Sequence, residues 1–268
     1  MSAFLLGGKK YMDNCKNHTK CKKNGRKQKM KLIFICGVLI VSISTVGASL
    51  SKSISQEYIK EKTYENSSKN IFERHTEYID SSDWNLLLVN PWNKIPGEYF
   101  VELTNLVNGH SIDKRVYPDL QAMIDAMRTE GLYPVICSSY RTYEKQQTLF
   151  NNEVSQCLAQ GYSQKEAEAE AGKSIAIPGT SEHQTGLAVD IVDISYQILD
   201  ENQENTAVQK WLIKNSYKYG FILRYPKDKS EITGIYYEPW HYRYVGKEVA
   251  KEIYEKGICL EEYLDSTK

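Results

Sequence analysis

The chain of 268 residues carries 34 Lys and Arg and 34 Asp and Glu, so its formal net charge is zero. This balance hides an asymmetry, because the first 31 residues hold ten basic side chains and one acid, Asp13. The remainder carries 24 basic and 33 acidic side chains, a net charge of −9. Because phosphate contacts need clustered positive charge, this larger part is a poor nucleic-acid binder, and we expect no nucleic-acid partner.

The N-terminal region predicts a membrane anchor. The basic arm, residues 1–31, precedes an apolar segment, residues 32–50, that is just long enough to span a bilayer. The positive charge before it predicts a cytoplasmic arm and an exported C-terminal part, as in a single-pass protein of the cell membrane. Residues 46–48, Val-Gly-Ala, also resemble a cleavage site, so a signal peptide is the alternative. We favour the anchor because the basic region is long for a signal peptide.

A polar stretch rich in Ser, Lys, Glu and Asn follows at residues 51–83 and predicts a stalk. Residues 84–268 then suit one domain with a single core. Two apolar stripes at helical spacing predict helices in its first half, the first after Pro118. They consist of Leu120, Met123, Ile124 and Met127, and of Tyr143, Phe150, Val154 and Leu158.

Further signals complete the predicted elements. Residues 135–139 are predicted to form a short strand. Ser163 and Glu166 have the spacing of a capping box, which predicts a helix over residues 163–173. Beyond Gly186, a buried strand is expected over 187–192, a helix from about 205 to 220, a strand over 237–245 and a closing helix after it. Because strands and helices lack a regular βαβ rhythm, we predict an α+β fold with a small, mainly antiparallel sheet flanked by helices.

Four dispersed side chains carry the chemistry. His183 and Asp190 lie within SEHQTGLAVD, and Glu238 and His241 lie within EPWHYRYVG. Two imidazoles and one carboxylate are the ligands of a catalytic zinc site that keeps a position open for water. A further carboxylate, Glu238, can act as the general base and acid of amide hydrolysis. The sequence therefore predicts a zinc peptidase with one zinc ion.

The predicted ligands must converge from separate elements, because the helical HExxH arrangement is absent from the sequence. We expect His183 on a loop and Asp190 on the strand that follows it. Pro239 favours extended backbone at Glu238, yet Glu238 and His241 are three residues apart and would face opposite sides of a regular strand. A bulge or twist is then needed to bring both to the metal.

The motifs SSYRTYEKQQ, SEHQTGLAVD and EPWHYRYVG closely resemble those of the zinc D,D-carboxypeptidases of the VanY type. The similarity extends from about Trp84 to the C-terminus. The resemblance implies that His183, Asp190 and His241 bind zinc, that Glu238 is the general base and that Arg141 lies near the substrate carbonyl or terminal carboxylate. We expect Arg141 to act in catalysis as well, by stabilising the oxyanion. The resemblance also implies the fold shared with hedgehog signalling domains. Beside these residues, we expect Tyr140, Gln147, Ser181 and Trp240 to line or support the substrate pocket.

The same resemblance implies a substrate, peptidoglycan stem peptides ending in D-Ala-D-Ala, and an association with vancomycin resistance. Related zinc enzymes share these ligands, so an L,D-carboxypeptidase, an endopeptidase or a D,D-dipeptidase are alternatives. Export argues against the dipeptidase, whose substrate is cytoplasmic. A non-catalytic zinc module that binds wall fragments is an alternative from another class, but such a module has no need of Glu238.

Overall fold

The computed structural model describes residues 83–267. The predicted arm and anchor, residues 1–31 and 32–50, lie outside this part, as does the predicted stalk, residues 51–83, apart from Asp83. Among the described residues, no helix combines the length and apolar character that crossing a bilayer requires.

Six strands and seven α-helices follow one another irregularly in the described part. The strands are β1 (Leu103–Asn105), β2 (Ser111–Asp113), β3 (Pro134–Ser138), β4 (Ala188–Asp193), β5 (Phe221–Leu223) and β6 (His241–Tyr244). The helices are α1 (Tyr117–Thr129), α2 (Tyr143–Ala159), α3 (Gln164–Ala171), α4 (Ala207–Asn215), α5 (Ser230–Thr233), α6 (Lys247–Lys256) and α7 (Leu260–Ser266). Short 3₁₀ helices include Glu182–Thr185 and Ser216–Tyr219.

The main sheet has the strand order β3-β4-β6-β5, and each neighbouring pair is antiparallel. β1 and β2 form a separate antiparallel pair. The predicted α+β class and mainly antiparallel sheet are therefore confirmed.

One face of the main sheet is apolar and builds the core. Val189 and Ile191 of β4 and Tyr242 of β6 are buried there together with apolar side chains of α1 and α4. Each fully buried aliphatic side chain contributes roughly 1.5–3 kcal/mol to folding. Because side chains alternate between the two faces of a strand, Asp190 and His241 point to the other face.

Several predicted elements are confirmed. Helix α1 begins with Pro118 in its first turn, and its predicted apolar stripe is buried. Ser163 caps helix α3, and the reciprocal hydrogen bonds with Glu166 form the predicted capping box. The helix predicted up to Gly220 is α4 followed by a 3₁₀ turn, and Gly220, in the left-handed conformation, ends it.

Other predictions need correction. In α2, Tyr143 and Leu158 are exposed and Cys157 is buried instead, because Phe150, Val154 and Cys157 share the helix face that packs against α3. The strand predicted over residues 237–245 is shorter, His241–Tyr244, since Pro239 lies in a turn. Helix α7 was not predicted.

Candidate metal centre

The register of the sheet places two predicted ligands side by side. Asp190 of β4 lies directly opposite His241, the first residue of β6. Directly opposed residues on antiparallel strands have Cβ atoms only about 4.5–5.5 Å apart. As a result, Nδ1 of His241 is 2.9 Å from Oδ1 of Asp190.

The third ligand comes from the 3₁₀ turn before β4. Gly186 ends this turn with a φ of 75°, and a Cβ at this position would come within 3.1 Å of Val101 and Asp113, so both conformation and space favour glycine. Nδ1 of His183 is 2.8 Å from the carbonyl oxygen of Ser139. Donation to this carbonyl fixes the tautomer and leaves Nε2, which lies 3.2 Å from Oδ2 of Asp190, available to bind a metal.

The three side chains fit a zinc ion. Each offers a ligand atom, and the three atoms lie within 4.8 Å of one another. The rings of His183 and His241 pack edge to face, with 4.9 Å between their centroids, and all three residues are buried. Two nitrogen donors and one carboxylate, with room left for a fourth ligand, are the donor set of catalytic zinc sites.

The electrostatics of the ligands agree with this reading. Burial and the nearby Arg141 lower the pKa of His183 to about 4, so the ring is neutral at pH 7, as a ligand must be. Burial alone would raise the pKa of Asp190, but His183 and His241 outweigh it and lower the pKa. For His241, burial opposes protonation, but hydrogen bonds to Asp190 and Glu182 raise the pKa to about 9. A ring nitrogen that binds a metal ion must first lose its proton.

Glu238 reaches the centre from a turn. The backbone N–H of His241 donates to the carbonyl of Glu238 (3.1 Å), which closes a turn around Pro239 and Trp240. This turn, rather than the predicted bulge or twist within a strand, lets both side chains point the same way. Oε2 of Glu238 lies 3.9 Å from Nδ1 of His241. Burial is the largest cause that raises the pKa of Glu238 to about 8; Asp190 adds to the shift and His241 opposes it.

Arg141 is held rigidly at the end of β3, just after an irregularity in the β3–β4 pairing. Its Nε donates to Oγ of Ser138 (2.9 Å), Nη1 to Oε1 of Gln146 (3.0 Å) and Nη2 to Oδ2 of Asp190 (3.0 Å). Gln146 is fully buried and donates in turn to the carbonyl of Ala176. The guanidinium is therefore oriented by three groups while its remaining N–H groups stay available to a ligand.

One cleft of about 490 Å³, a volume that includes its open mouth, is lined by the three metal ligands, Glu238 and Arg141. Among the residues predicted to line or support it, Ser181 and Trp240 lie in its wall, whereas Tyr140 and Gln147 are not among its lining residues. The amide of Gln147 instead donates to Asn151 one turn along α2. A substrate contact by any of these four residues remains a prediction.

Three residues of the site were not singled out from the sequence. Gln146 orients Arg141, and the ring of Tyr225 lies 4.8 Å from that of His241 in the wall of the cleft. Glu182 is buried directly behind His241. Burial alone would raise the pKa of Glu182, but Arg224 and Arg243 outweigh it and hold the pKa well below its usual range. Of these three residues, only Glu182 and Gln146 could have been found from the sequence, because they lie within the motifs SEHQTGLAVD and SSYRTYEKQQ.

Comparison with known proteins agrees with this geometry. The family model "VanY: D-alanyl-D-alanine carboxypeptidase" matches residues 109–247. A D-alanyl-D-alanine carboxypeptidase of Enterococcus faecalis (strain ATCC 700802 / V583) is 50% identical over 205 residues, which cover 76% of this chain and 74% of the relative. The chain belongs to the VanY D-alanyl-D-alanine carboxypeptidase family. The matched region contains the three ligands, Glu238 and Arg141, so the resemblance inferred from the motifs is confirmed.

Two solved structures of VanY proteins are similar to the chain. VanYB in complex with D-alanine-D-alanine is 52% identical, has a TM-score of 0.64, and is matched over 69% of this chain and 99% of its own. A mutant of the vancomycin resistance D,D-pentapeptidase VanY from a VanB-type cassette, in complex with Zn(II), is also 52% identical; its TM-score is 0.62, with 68% and 99% covered. The DD-peptidase-like fold predicted for the domain is thereby confirmed.

Proposed function

We propose that the protein is a zinc-dependent D,D-carboxypeptidase that removes the C-terminal D-Ala from peptidoglycan stem pentapeptides ending in D-Ala-D-Ala. The convergence of His183, Asp190, His241 and Glu238 in one cleft carries this proposal. Relatives solved with D-alanine-D-alanine and with Zn(II) support the substrate class and the metal. Shortening the stem removes the terminus that glycopeptide antibiotics bind, so the activity would contribute to vancomycin resistance.

In this proposal His183, Asp190 and His241 hold zinc. When bound, zinc supplies Lewis acidity, which favours ionisation of water and polarises a carbonyl group. Glu238 takes a proton from the attacking water while the water oxygen forms a bond to the carbonyl carbon of the penultimate D-Ala. Glu238 then gives the proton to the amine nitrogen as the C–N bond breaks, which releases free D-Ala. Glu238 must be ionised to accept this proton and protonated to return it, and burial, which raises its pKa, favours the protonated form.

Arg141 positions the substrate in this scheme. Its guanidinium faces the cleft beside Asp190, and donors that its three protein contacts leave unused can bind the peptide carbonyl or the terminal carboxylate. Ser181 and Trp240 form the cleft wall around it.

Product identification tests the proposed reaction. Purified full-length protein is incubated with a stem pentapeptide, a tetrapeptide and free D-Ala-D-Ala, each with and without a zinc chelator, and products are identified by mass spectrometry. We expect release of one D-Ala from the pentapeptide, abolished by the chelator and restored by zinc. Preferred cleavage of the tetrapeptide would instead indicate an L,D-carboxypeptidase, and preferred cleavage of the dipeptide a dipeptidase. Binding without any cleavage would indicate a wall-binding module.

We also propose that residues 32–50 anchor the protein in the cell membrane, with the enzyme domain outside. The ten basic side chains in residues 1–31 support this orientation. In cells expressing the full chain, the protein should sediment with membranes and retain its N-terminus. Protease added outside the cells should digest the enzyme domain. A mature N-terminus just after Ala48 would show cleavage instead, and protection from protease would contradict export.

A further inference from the structure

A cluster of four buried charged side chains lies behind the metal centre. Glu182 receives hydrogen bonds from Arg224 (2.7 Å) and Arg243 (2.6 Å), and Arg224 also makes two hydrogen bonds with Glu261 (2.7 and 2.8 Å). All four side chains are buried. Because desolvation offsets most of the attraction in such clusters, they contribute little net stability. Net stability therefore does not explain why these four charges are buried together.

The two carboxylate oxygens of Glu182 have different partners. Both arginines donate to Oε1. Oε2 faces the metal centre and lies 3.4 Å from Nε2 of His241. Arg243 is fixed in turn, because its Nη2 donates to the backbone carbonyls of Asn85 and Leu87. Glu182 thus presents one oxygen to His241 while the other is held in place.

The two ring nitrogens of His241 also face different groups. Nδ1 points toward Asp190, 2.9 Å away, and toward Glu238, 3.9 Å away, on the cleft side. Nε2 faces Oε2 of Glu182, 3.4 Å away. Histidine ligands commonly donate their second ring N–H to a carboxylate, which sets the tautomer and the ring orientation. The arrangement around His241 has this form.

We propose that Glu182 is a positioning residue, which accepts a hydrogen bond from Nε2–H of His241 and thereby presents Nδ1 to the zinc ion. This role deepens the proposed function and rests on it for the identity of the metal. Glu182 touches neither the cleavable bond nor the reacting atoms. It acts through His241, and Arg224 and Arg243 hold it in the required orientation.

The wild-type protein provides the first test. Long-range ¹H–¹⁵N NMR of the full chain labelled with [¹⁵N]histidine reports which ring nitrogens carry protons, and His241→Gln assigns the signals. In the zinc-loaded protein we expect a proton on Nε2 of His241 and metal at Nδ1. A proton on Nδ1, with metal at Nε2, would overturn the proposal. This measurement needs no destabilised variant.

The second test is Glu182→Gln. Because the two arginines require an oxygen, the amide oxygen should stay with them, and the NH₂ group should then face Nε2 of His241. Two donors would oppose each other, which favours the tautomer with the proton on Nδ1. We expect zinc affinity, measured by chelator competition, to fall about 10- to 100-fold, the usual cost of losing a ligand's hydrogen-bond partner.

Glu261→Gln is the matched control. It removes one charge from the same cluster but no atom that touches His241, so it should destabilise the fold without lowering zinc affinity appreciably. Equal zinc affinity in both variants, or an equal loss in both, would reduce Glu182 to a structural role. If Glu182→Gln does not fold, the wild-type tautomer decides. No readout needs a substrate, so a wild-type protein that binds zinc but releases no D-Ala would refute the proposed function alone.

Discussion

The two faces of the central sheet differ sharply although they belong to the same strands. On one face, Val189, Ile191 and Tyr242 join an apolar core with α1 and α4. On the other, Asp190, His241 and Arg243 carry polar groups that are equally buried, and each has a partner of complementary charge or hydrogen-bonding capacity. Burying polar groups costs free energy even when they are paired. The apolar face must therefore supply the stability that offsets this cost on the polar face.

Stability therefore comes mainly from the apolar face of the sheet, and the chemistry is carried out on the polar face. Alternation along β4 sends Asp190 to the site and its two neighbours to the core, so one strand serves both purposes. Substitutions of polar side chains that line the cleft, such as Glu238, should therefore change activity or metal binding more than stability. Substitutions in the core should do the reverse.

The largest effect is expected for Glu238→Gln, on the polar side. The amide cannot take the proton from water, and loss of a general base typically lowers the rate by about 10²- to 10⁴-fold. Release of D-Ala from a pentapeptide measures turnover, and chelator competition should show unchanged zinc affinity, because Glu238 is not a ligand. Turnover close to wild type would contradict its role.

Leu212→Ala tests the core side. Leu212 of α4 is fully buried in the apolar cluster, and such a truncation costs about 2–5 kcal/mol in the free energy of unfolding. Denaturant titration measures this loss. Zinc affinity and turnover of the folded fraction should stay near those of wild type; a large drop in zinc affinity would mean that the two faces are not separable.

Arg141→Lys tests whether rigid orientation matters more than charge. A lysine keeps the positive charge but cannot reach Ser138, Gln146 and Asp190 together. Since hydrogen bonds involving charged groups contribute about 1.5–3 kcal/mol, we expect kcat/KM to fall about tenfold to a hundredfold. Steady-state kinetics with the pentapeptide provide the measurement, and an unchanged kcat/KM would show that charge alone suffices.

The smallest effects separate two adjacent glutamines. Gln146→Ala frees the guanidinium of Arg141 and should lower kcat/KM about tenfold, consistent with a loss of about 1.5 kcal/mol. Gln147→Ala removes a contact within the exposed face of α2 and should change kcat/KM less than about twofold, as most surface substitutions do. The opposite ranking would restore Gln147 as the residue that contacts substrate.

The sequence predicted the chemistry better than the geometry. His183, Asp190, His241 and Glu238 could be recognised because a donor set and its base are a matter of residue type within motifs. Apolar periodicity predicted α1, and capping chemistry predicted the start of α3, because both are local.

Features that depend on long-range contacts escaped prediction. The turn that brings Glu238 beside His241 is not evident from spacing alone, which suggested a strand. Gln146 and Gln147 are adjacent in sequence, and only the packing of α2 decides which one reaches Arg141. The role of Glu182 depends on arginines 42 and 61 residues away.

Anomalous diffraction at the zinc absorption edge, from crystals of the zinc-loaded protein, tests the central claim most directly. We expect one strong peak within bonding distance of Nε2 of His183, the Asp190 carboxylate and Nδ1 of His241, about 2.0–2.2 Å from each. The absence of a peak between these residues, or a peak only at other side chains, would contradict the account.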